Sequence, residues 1–444
     1  MLPTCRTENE GFAIPQLDLT PSDIDGLLEE LRGFHAAFEH CFTRREPREH
    51  FFRYLVGQCS SLERKSIEPI ALEVEGGNVR AMQRLMSDVV WDEPQMRGIY
   101  HHLVNDDLGD REGVVIVDES GFPKRGRDSV GVARQYCGAL GKVENCQVGV
   151  FAAYASRHGY ALLDKRLFLP EVWFTDAYAS RRKTCKMPEE LAFQSKPQLA
   201  VDMLRTLHAE GVLPFKYVVA DCLYGNSPTF LEGIEHCGEL IYFVAIPADT
   251  RAWLQGPVRK TKQYRYKGAV HTKQQVMAKH SDPPSVEAIA RGIHDCFWYR
   301  RTVSEGTKGP ITYEFTKRQI TLCRNGLPDR PVWLVIKRSL DEQPAYWYYI
   351  SNAPIRSRLP LFIWLSGVRW AIEQCFGESK SELGMDHYEL RKYPGWHHHV
   401  LTCMLAHFFL WHLKIRLGEK STRLDGVTGA DVARSGITAT HVHA

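Results

Sequence analysis

The chain has 444 residues, 44% of them hydrophobic and 25% charged, which allows a large core and roughly two or three domains. Its 56 basic and 53 acidic side chains leave a net charge of +3, which excludes a globally polycationic protein while permitting a local basic face. Twelve cysteines without a C-x-x-C pair argue against a zinc ribbon, the start MLPTCRTENEGF lacks a signal-peptide pattern, and the apolar stretch 400–413 is too short to span a bilayer. Reduced thiols in a bacterial cytoplasm fit these features.

Residues 1–19 read as a loose lead-in. Thr20-Pro21 offers an N-cap and a proline at the first helical position, and Ile24, Leu27, Leu28, Leu31, Phe34, Phe38 and Phe42 follow at helical spacing. Helices are expected over 48–62 and 78–91, with Glu93-Pro94 opening another that ends near Val104. The pair joined around Trp91 to Pro94 reads as a helix-turn-helix or as plain helical packing. Together these residues outline an N-terminal helical domain, 1–106.

Val114, Val115, Ile116 and Val117 are consecutive and β-branched, as in a strand buried on both faces. Asp118 and Glu119 follow, then Ser120-Gly121, a turn signal. An acid at the end of a buried strand is costly unless its charge is met, by a cap or by a metal ion. Antiparallel strands are expected over 129–137 and 143–153, with Gly138 and Gly141 turning between them. A helix is expected over 189–210. The strand 217–220 repeats the grammar of the first, with Asp221 at its end, and 240–246 reads as a further strand. A sheet followed by helix–strand alternation makes 107–246 an α/β domain.

A helix carrying a third acid is delayed. The first gap is 221 − 118 = 103 positions, whereas Asp221 to Glu373 is 373 − 221 = 152. The intervening 247–344 is rich in β-branched and aromatic residues, alternates at 311–315 and 319–323, and reads as a β-rich insertion domain. Within it Arg251, Arg259, Lys260, Lys262, Arg265, Lys267, Lys273 and Lys279 occur with no intervening Asp or Glu, and Tyr264 and Tyr266 interleave. That composition suits DNA, or a solvated loop. After a strand at 347–350, a helix over 359–383 carries Arg369, Glu373 and Lys380 on one face. Two strand-end aspartates and one helical glutamate can converge on one pair of Mg²⁺ ions, which prefer hard carboxylate oxygens. A closing helix, 395–417, completes the second part of the α/β domain, 345–417. His397, His398 and His399 point in different directions on it, so one ion cannot take all three. The tail, 418–444, has the composition of a disordered segment.

These motifs resemble those of bacterial insertion-sequence transposases of the DDE type. That superfamily carries Y-x2-R-x3-E-x6-K around its glutamate, and Arg369, Glu373 and Lys380 stand at those spacings, with Ser366 where the tyrosine would fall. Its D-x-x-(Y/F) box is similar to Asp221-Cys222-Leu223-Tyr224. The stretches DESGFPKRG and SVGVARQYCGALGKVENCQVGV look like the seven-hundred-and-one group of insertion sequences, and the resemblance runs from about Arg44 to Trp411.

The resemblance implies an RNase H-like catalytic core interrupted by the insertion, with Asp118, Asp221 and Glu373 as catalytic metal ligands. It implies two Mg²⁺ ions, with Mn²⁺ as a substitute, and Arg369 and Lys380 on phosphate near the scissile bond. Asp118 and Glu119 face opposite ways on a strand, so only one reaches the ions, and the family pattern picks Asp118. The implied activity is cut-and-paste transposition on double-stranded DNA, at terminal inverted repeats and target sites, by a homodimer that is nucleoid-associated when bound. A domesticated DNA-binding protein and a host nuclease on the same fold are the alternatives. DNA contacts are expected from Arg259, Lys260, Lys262, Tyr264, Arg265 and Lys267. Trp298, in CFWYRR, has two readings: relatives that form a hairpin stack a tryptophan of this domain on a flipped base, or the ring packs in the insertion's own core.

Overall fold

The computed structural model describes residues 21–418 apart from 268, 281, 307 and 308, so the lead-in 1–19 and the tail from 419 onward lie outside the described residues. In chain order the helices α1 (Pro21–Ala36), α2 (Arg45–Cys59), α3 (Ile67–Glu73), α4 (Val79–Ser87) and α5 (Glu93–Leu108) precede the strands β1 (Val114–Pro123), β2 (Ala133–Cys137), β3 (Lys142–Ser156) and β4 (Gly159–Phe168). There follow α6 (Ala179–Thr184), α7 (Lys196–Glu210), β5 (Tyr217–Ala220), α8 (Cys222–Gly225), α9 (Pro228–Glu235) and β6 (Ile241–Ile246). Next come β7 (Ala252–Trp253), β8 (Lys260–Tyr266), β9 (Ala269–Gln275), α10 (Val286–Arg291), β10 (Tyr299–Gly306), β11 (Gly309–Arg324), β12 (Leu327–Arg338) and β13 (Tyr346–Ser351). The last three helices are α11 (Leu359–Val368), α12 (Trp370–Ser381) and α13 (Tyr393–Gly418). Among the described residues the chain forms two compact units, one of 21–215 with 370–418 and one of 216–369.

In the first unit β3 is the spine of an antiparallel sheet. It pairs with β1 from Val114↔Ala155 to Pro123↔Cys146, with β4 from Val148↔Phe168 to Ser156↔Gly159, and with β2 from Ala133↔Cys146 to Cys137↔Lys142. Asp118 therefore lies inside a ten-residue strand, not at the end of a four-residue one, and Ser120-Gly121 is not a turn. The long partner strand holds β1 extended through both residues. Gly121 answers a close approach instead: a Cβ there would come within 2.7 Å of the Cys137 sulfur. Strand β2 begins at Ala133 rather than Ser129, and α7 begins at Lys196 rather than Glu189. Pro197 suits only the first turn, and Ser195 and Gln198 close a capping box around it. The whole of β4 was outside the expected elements, because Asp164, Lys165 and Arg166 interrupt its apolar pattern.

Asp164 and Lys165 are buried, Arg166 is half-buried, and all three are paired. Lys165 Nζ bonds Glu93 Oε2 and His397 Nδ1, each at 2.7 Å, and Arg166 Nη1 bonds Asp164 Oδ1 at 2.6 Å. The network ties α5, β4 and α13 together. Lys165→Met would leave the half-buried Glu93 carboxylate without its cation, with only His397 and His398 beside it, so a loss of about 2–3 kcal/mol is expected in chemical denaturation. Adding Glu93→Gln should recover part of that loss. Burial alone would raise the Glu93 carboxyl, but the Lys165 charge beside it draws it down from 4.5 to about 2. The resulting stabilisation is full above about 4.5 and is lost as pH falls through about 2, so Glu93→Gln should flatten the acid limb of the stability curve.

The N-terminal helices pack on α13 in this same unit. Trp91 is buried and stacks on His398, with ring centroids 4.1 Å apart and planes at 5°. Tyr54 bonds His399 Nδ1 at 2.8 Å, and His398 Nδ1 lies 2.9 Å from the Met86 carbonyl oxygen. Each of the three consecutive histidines thus has its own partner. Among the described residues no helix is long and apolar enough to cross a membrane.

The second unit is a mixed sheet in the order β10-β11-β12-β13-β6-β5. Among the described residues of this unit β5 and β6 are the parallel pair, from Tyr217↔Ile241 to Ala220↔Val244. The expected alternations at 311–315 and 319–323 belong to one sixteen-residue strand, β11. Through β12 and β13 the strands of the 247–344 region continue the sheet that contains β6. β8 and β9 form a separate two-stranded ribbon.

Candidate active site

Asp118 is half-buried on β1, and its Oδ1 accepts the Glu119 backbone N–H at 2.8 Å. Glu119, on the opposite face of the strand, is engaged by Lys196 Nζ at 2.7 Å. One carboxylate of the adjacent pair is therefore held in an ion pair, and the other is directed away from it. In the same unit α12 packs against β1 and carries Glu373, which is exposed. Lys380 lies two turns further along α12. Its Nζ sits 3.3 Å from the Gly121 carbonyl oxygen and 5.3 Å from the centre of the Phe122 ring, and burial lowers its pKa.

Asp221 belongs to the other unit. It follows the four buried residues of β5 and caps α8, accepting the Leu223 backbone N–H at 2.9 Å. The residues around it explain the D-x-x-Y box physically. Tyr224 is fully buried against Phe230, with ring centroids 5.2 Å apart. A Cβ on Gly225 would fall 1.9 Å from the Ala245 carbonyl oxygen, so the backbone of α8 can meet β6 only with glycine there.

The helix expected over 359–383 is two helices, and Arg369 stands between them as the C-cap of α11. Ser366 and Gly367 weaken the end of α11: the Ser366 hydroxyl donates to the Ile363 carbonyl at 2.7 Å, in competition with the backbone ladder. The residue at the signature tyrosine position is thus spent on its own helix. Glu373 and Lys380 share α12, but Arg369 is not part of that helix.

Lys260, Lys262, Tyr264 and Arg265 lie on β8, and Lys267, with φ 49°, is in the turn that follows. All five are exposed. Arg259 is exposed as a residue, yet its Nε donates to the Pro328 carbonyl at 3.1 Å and anchors the base of the ribbon. Trp298 is 8% exposed. The Arg338 guanidinium lies 4.2 Å over its ring, and Tyr346 meets it edge-on at 6.1 Å.

Sequence reading passed over a cationic and aromatic group in this unit. Lys337 Nζ lies 4.6 Å from the ring centres of both Tyr313 and Trp347. Burial and then the nearby Arg369 charge pull its pKa down to about 8. The available signal was the pairing of two aromatic-rich strands, which sets Lys337 opposite Trp347.

Carboxylates suit a hard divalent cation, and the three acids supply only such oxygens. Among the described residues no group of three or more His, Cys, Asp or Glu side chains is gathered as a metal site; Asp118 and Glu373 belong to one unit and Asp221 to the other. A family model described as the DDE superfamily endonuclease matches residues 37–310. The chain belongs to the DDE superfamily of endonucleases. It is also 26% identical over 348 residues, 77% of each chain, to a protein of Microchaete diplosiphon described as a probable transposase for insertion sequence element IS701. A piggyBac transposase in a synaptic complex with hairpin DNA gives a TM-score of 0.45 at 9% identity, over 96% of this chain and 81% of that one. The NurA nuclease from Sulfolobus solfataricus gives 0.26 at 10% identity, over 67% and 88%. Enzymes of this superfamily generally use divalent metal ions.

Proposed function

We propose that the chain is a cut-and-paste DNA transposase of an insertion sequence. The observation that carries this reading is membership of the DDE endonucleases, and the likeness to a described transposase over 77% of both chains supports it. In this reading Asp118, Asp221 and Glu373 hold two Mg²⁺ ions, replaceable by Mn²⁺. When bound, the ions activate the attacking oxygen and stabilise the leaving one. Lys380 and Arg369 hold backbone phosphate next to the scissile bond, where a charge-assisted contact fixes the strand. Glu119 stays outside the site, held by Lys196. Water oxygen forms the new bond to phosphorus as the P–O3′ bond breaks. The freed 3′-hydroxyl then attacks a second phosphorus, on the other strand or in target DNA, and the P–O3′ bond there breaks, releasing a new 3′-hydroxyl.

The antiparallel β1–β3–β4 strands and the parallel β5–β6 pair supply the strand types of an RNase H-like core. The N-terminal helices, 1–106, would bind the terminal inverted repeats, and the 247–344 insertion would approach the cut. The enzyme would work in the bacterial cytoplasm as a homodimer that bridges two ends. Incubation of the full chain with duplex carrying the element's ends should give nicks at the element boundary. Chelation should abolish them, and added Mg²⁺ or Mn²⁺ should restore them. Equal nicking in excess chelator would reject the metal-dependent reading.

A further inference from the structure

The ribbon of β8 and β9 has a feature that bulk positive charge does not explain. Every residue of both strands is exposed, so neither face packs on the rest of the protein. An isolated two-stranded ribbon is only marginally stable in water, which suggests that it has an external occupant. Its register sorts the side chains sharply. Thr261 pairs with Gln274, Gln263 with Thr272 and Arg265 with Val270, and these share one face. Lys260 pairs with Gln275, Lys262 with Lys273 and Tyr264 with His271, and these share the other. One face therefore carries amide, hydroxyl, methyl and guanidinium groups without lysine; the other carries the lysines.

That division has a chemical meaning. Gln and Arg form bidentate hydrogen bonds with adenine and guanine edges, and the methyl of Thr or Val suits the thymine methyl. Lysine is a flexible point charge suited to phosphate. The B-DNA major groove admits a two-stranded β-ribbon. Lys262 directly opposite Lys273 is repulsive in the free protein, and a polyanion relieves that repulsion. Lysines that merely protect an edge strand from aggregation would not require the Thr-Gln-Arg alternation on the other face. Arg259, fastened to the Pro328 carbonyl and 3.4 Å from Gln274 Oε1, gives the ribbon a fixed base.

We propose that the β8–β9 ribbon enters the major groove of double-stranded DNA and reads base edges with Gln263, Arg265 and Thr272, while Lys260, Lys262 and Lys273 hold the flanking phosphates. This deepens the transposase reading and rests on it, since it adds a sequence-reading element to a DNA-acting enzyme. Seven residues of strand extend about 20 Å, so one ribbon covers about 4–6 base pairs.

The test is selection of a randomised duplex pool by the full-length chain, with metal-dependent nicking measured on the same preparation. The wild type should enrich a motif that includes a contiguous block of about 4–6 base pairs. The double variant Gln263→Ala, Arg265→Ala should lose that block by roughly tenfold or more in preference, while retaining its affinity for unrelated duplex. Lys262→Ala with Lys273→Ala should keep the block, bind all duplexes more weakly, and lower the salt slope by about 0.9 per lost contact. The proposal is overturned if the Gln263, Arg265 variant selects the wild-type motif. It is equally overturned if that variant weakens specific and unrelated DNA alike, if the lysine variant erases the block, or if the wild type selects no motif. Retained nicking in any of these cases would leave the catalytic reading standing, so the two failures are distinguishable.

Discussion

Asp118→Asn, Asp221→Asn and Glu373→Gln are each expected to reduce DNA cleavage by about a thousandfold or more, with end binding nearly unchanged. Each substitution removes one carboxylate charge at almost constant volume. Metal-ion catalysis contributes several kcal/mol, and about 4 kcal/mol corresponds to three orders of magnitude in rate. Glu373 is exposed and Asp118 and Asp221 are half-buried, so none of the three changes opens a core cavity. Asp221 also caps α8, but Asn is an equally good N-cap, which limits the structural cost. The control is Glu119→Gln. It breaks the ion pair to Lys196 without removing a proposed metal ligand, so it should cost stability and leave most of the cleavage rate. Single-turnover cleavage and gel-shift binding on the same DNA separate the two effects. A fully active Asp118→Asn protein would reject the assignment of that strand.

Trp298→Ala is expected to destabilise the protein by about 3–5 kcal/mol, the range for removing a buried aromatic ring. At 8% exposure, with Arg338 over its face and Tyr346 at its edge, the ring packs within its own unit. Arg338 is itself fixed by Glu314 at 2.8 Å and Asp295 at 3.1 Å, so the ring closes a small ionic cluster at the start of β10. Loss of the ring should lower the thermal midpoint and slow every step of the reaction together. Trp298→Phe should restore most of the stability. A variant that melts like wild type and stalls only after the first nick would instead place the ring on an extruded base. Trp347→Ala supplies the contrast, because Trp347 is 38% exposed and should cost little stability.

The buried elements that local sequence specifies were legible in the sequence. Val114–Val117 and Tyr217–Ala220 are strands because short runs of buried β-branched residues permit little else. Glu93-Pro94 marks a helix start through proline geometry, and Pro21 is the first residue of α1, with Thr20 outside the described residues. The errors occur where a tertiary partner overrides a local signal. Ser120-Gly121 looks like a turn until a fifteen-residue β3 pairs alongside it, and β4 hides because its charges are satisfied by Glu93, His397 and neighbouring arginines across the fold. The break between α11 and α12 at Arg369, a residue that keeps helical backbone angles, is not encoded in helical periodicity. At the candidate site the sequence offers the residue types that metal chemistry favours, and their role as ligands is a proposal. The selection of Asp118 over Glu119 rested on the family pattern and has a physical counterpart in Lys196, a residue 77 positions away. Basic character was legible in 251–281, but the sorting of Gln263, Arg265 and Thr272 from the lysines needed the strand register.

The most direct measurement of the central claim is a strand-transfer assay. The purified full-length chain is mixed with Mg²⁺, a linear duplex bearing the element's terminal sequences, and a supercoiled target plasmid. The transposase account predicts covalent joining of the duplex 3′-ends to the plasmid, absent from the Glu373→Gln protein and from reactions with chelator. Cleavage of the duplex by the wild type, with no joined product under conditions where the DNA is bound, would contradict it and identify the chain as a nuclease.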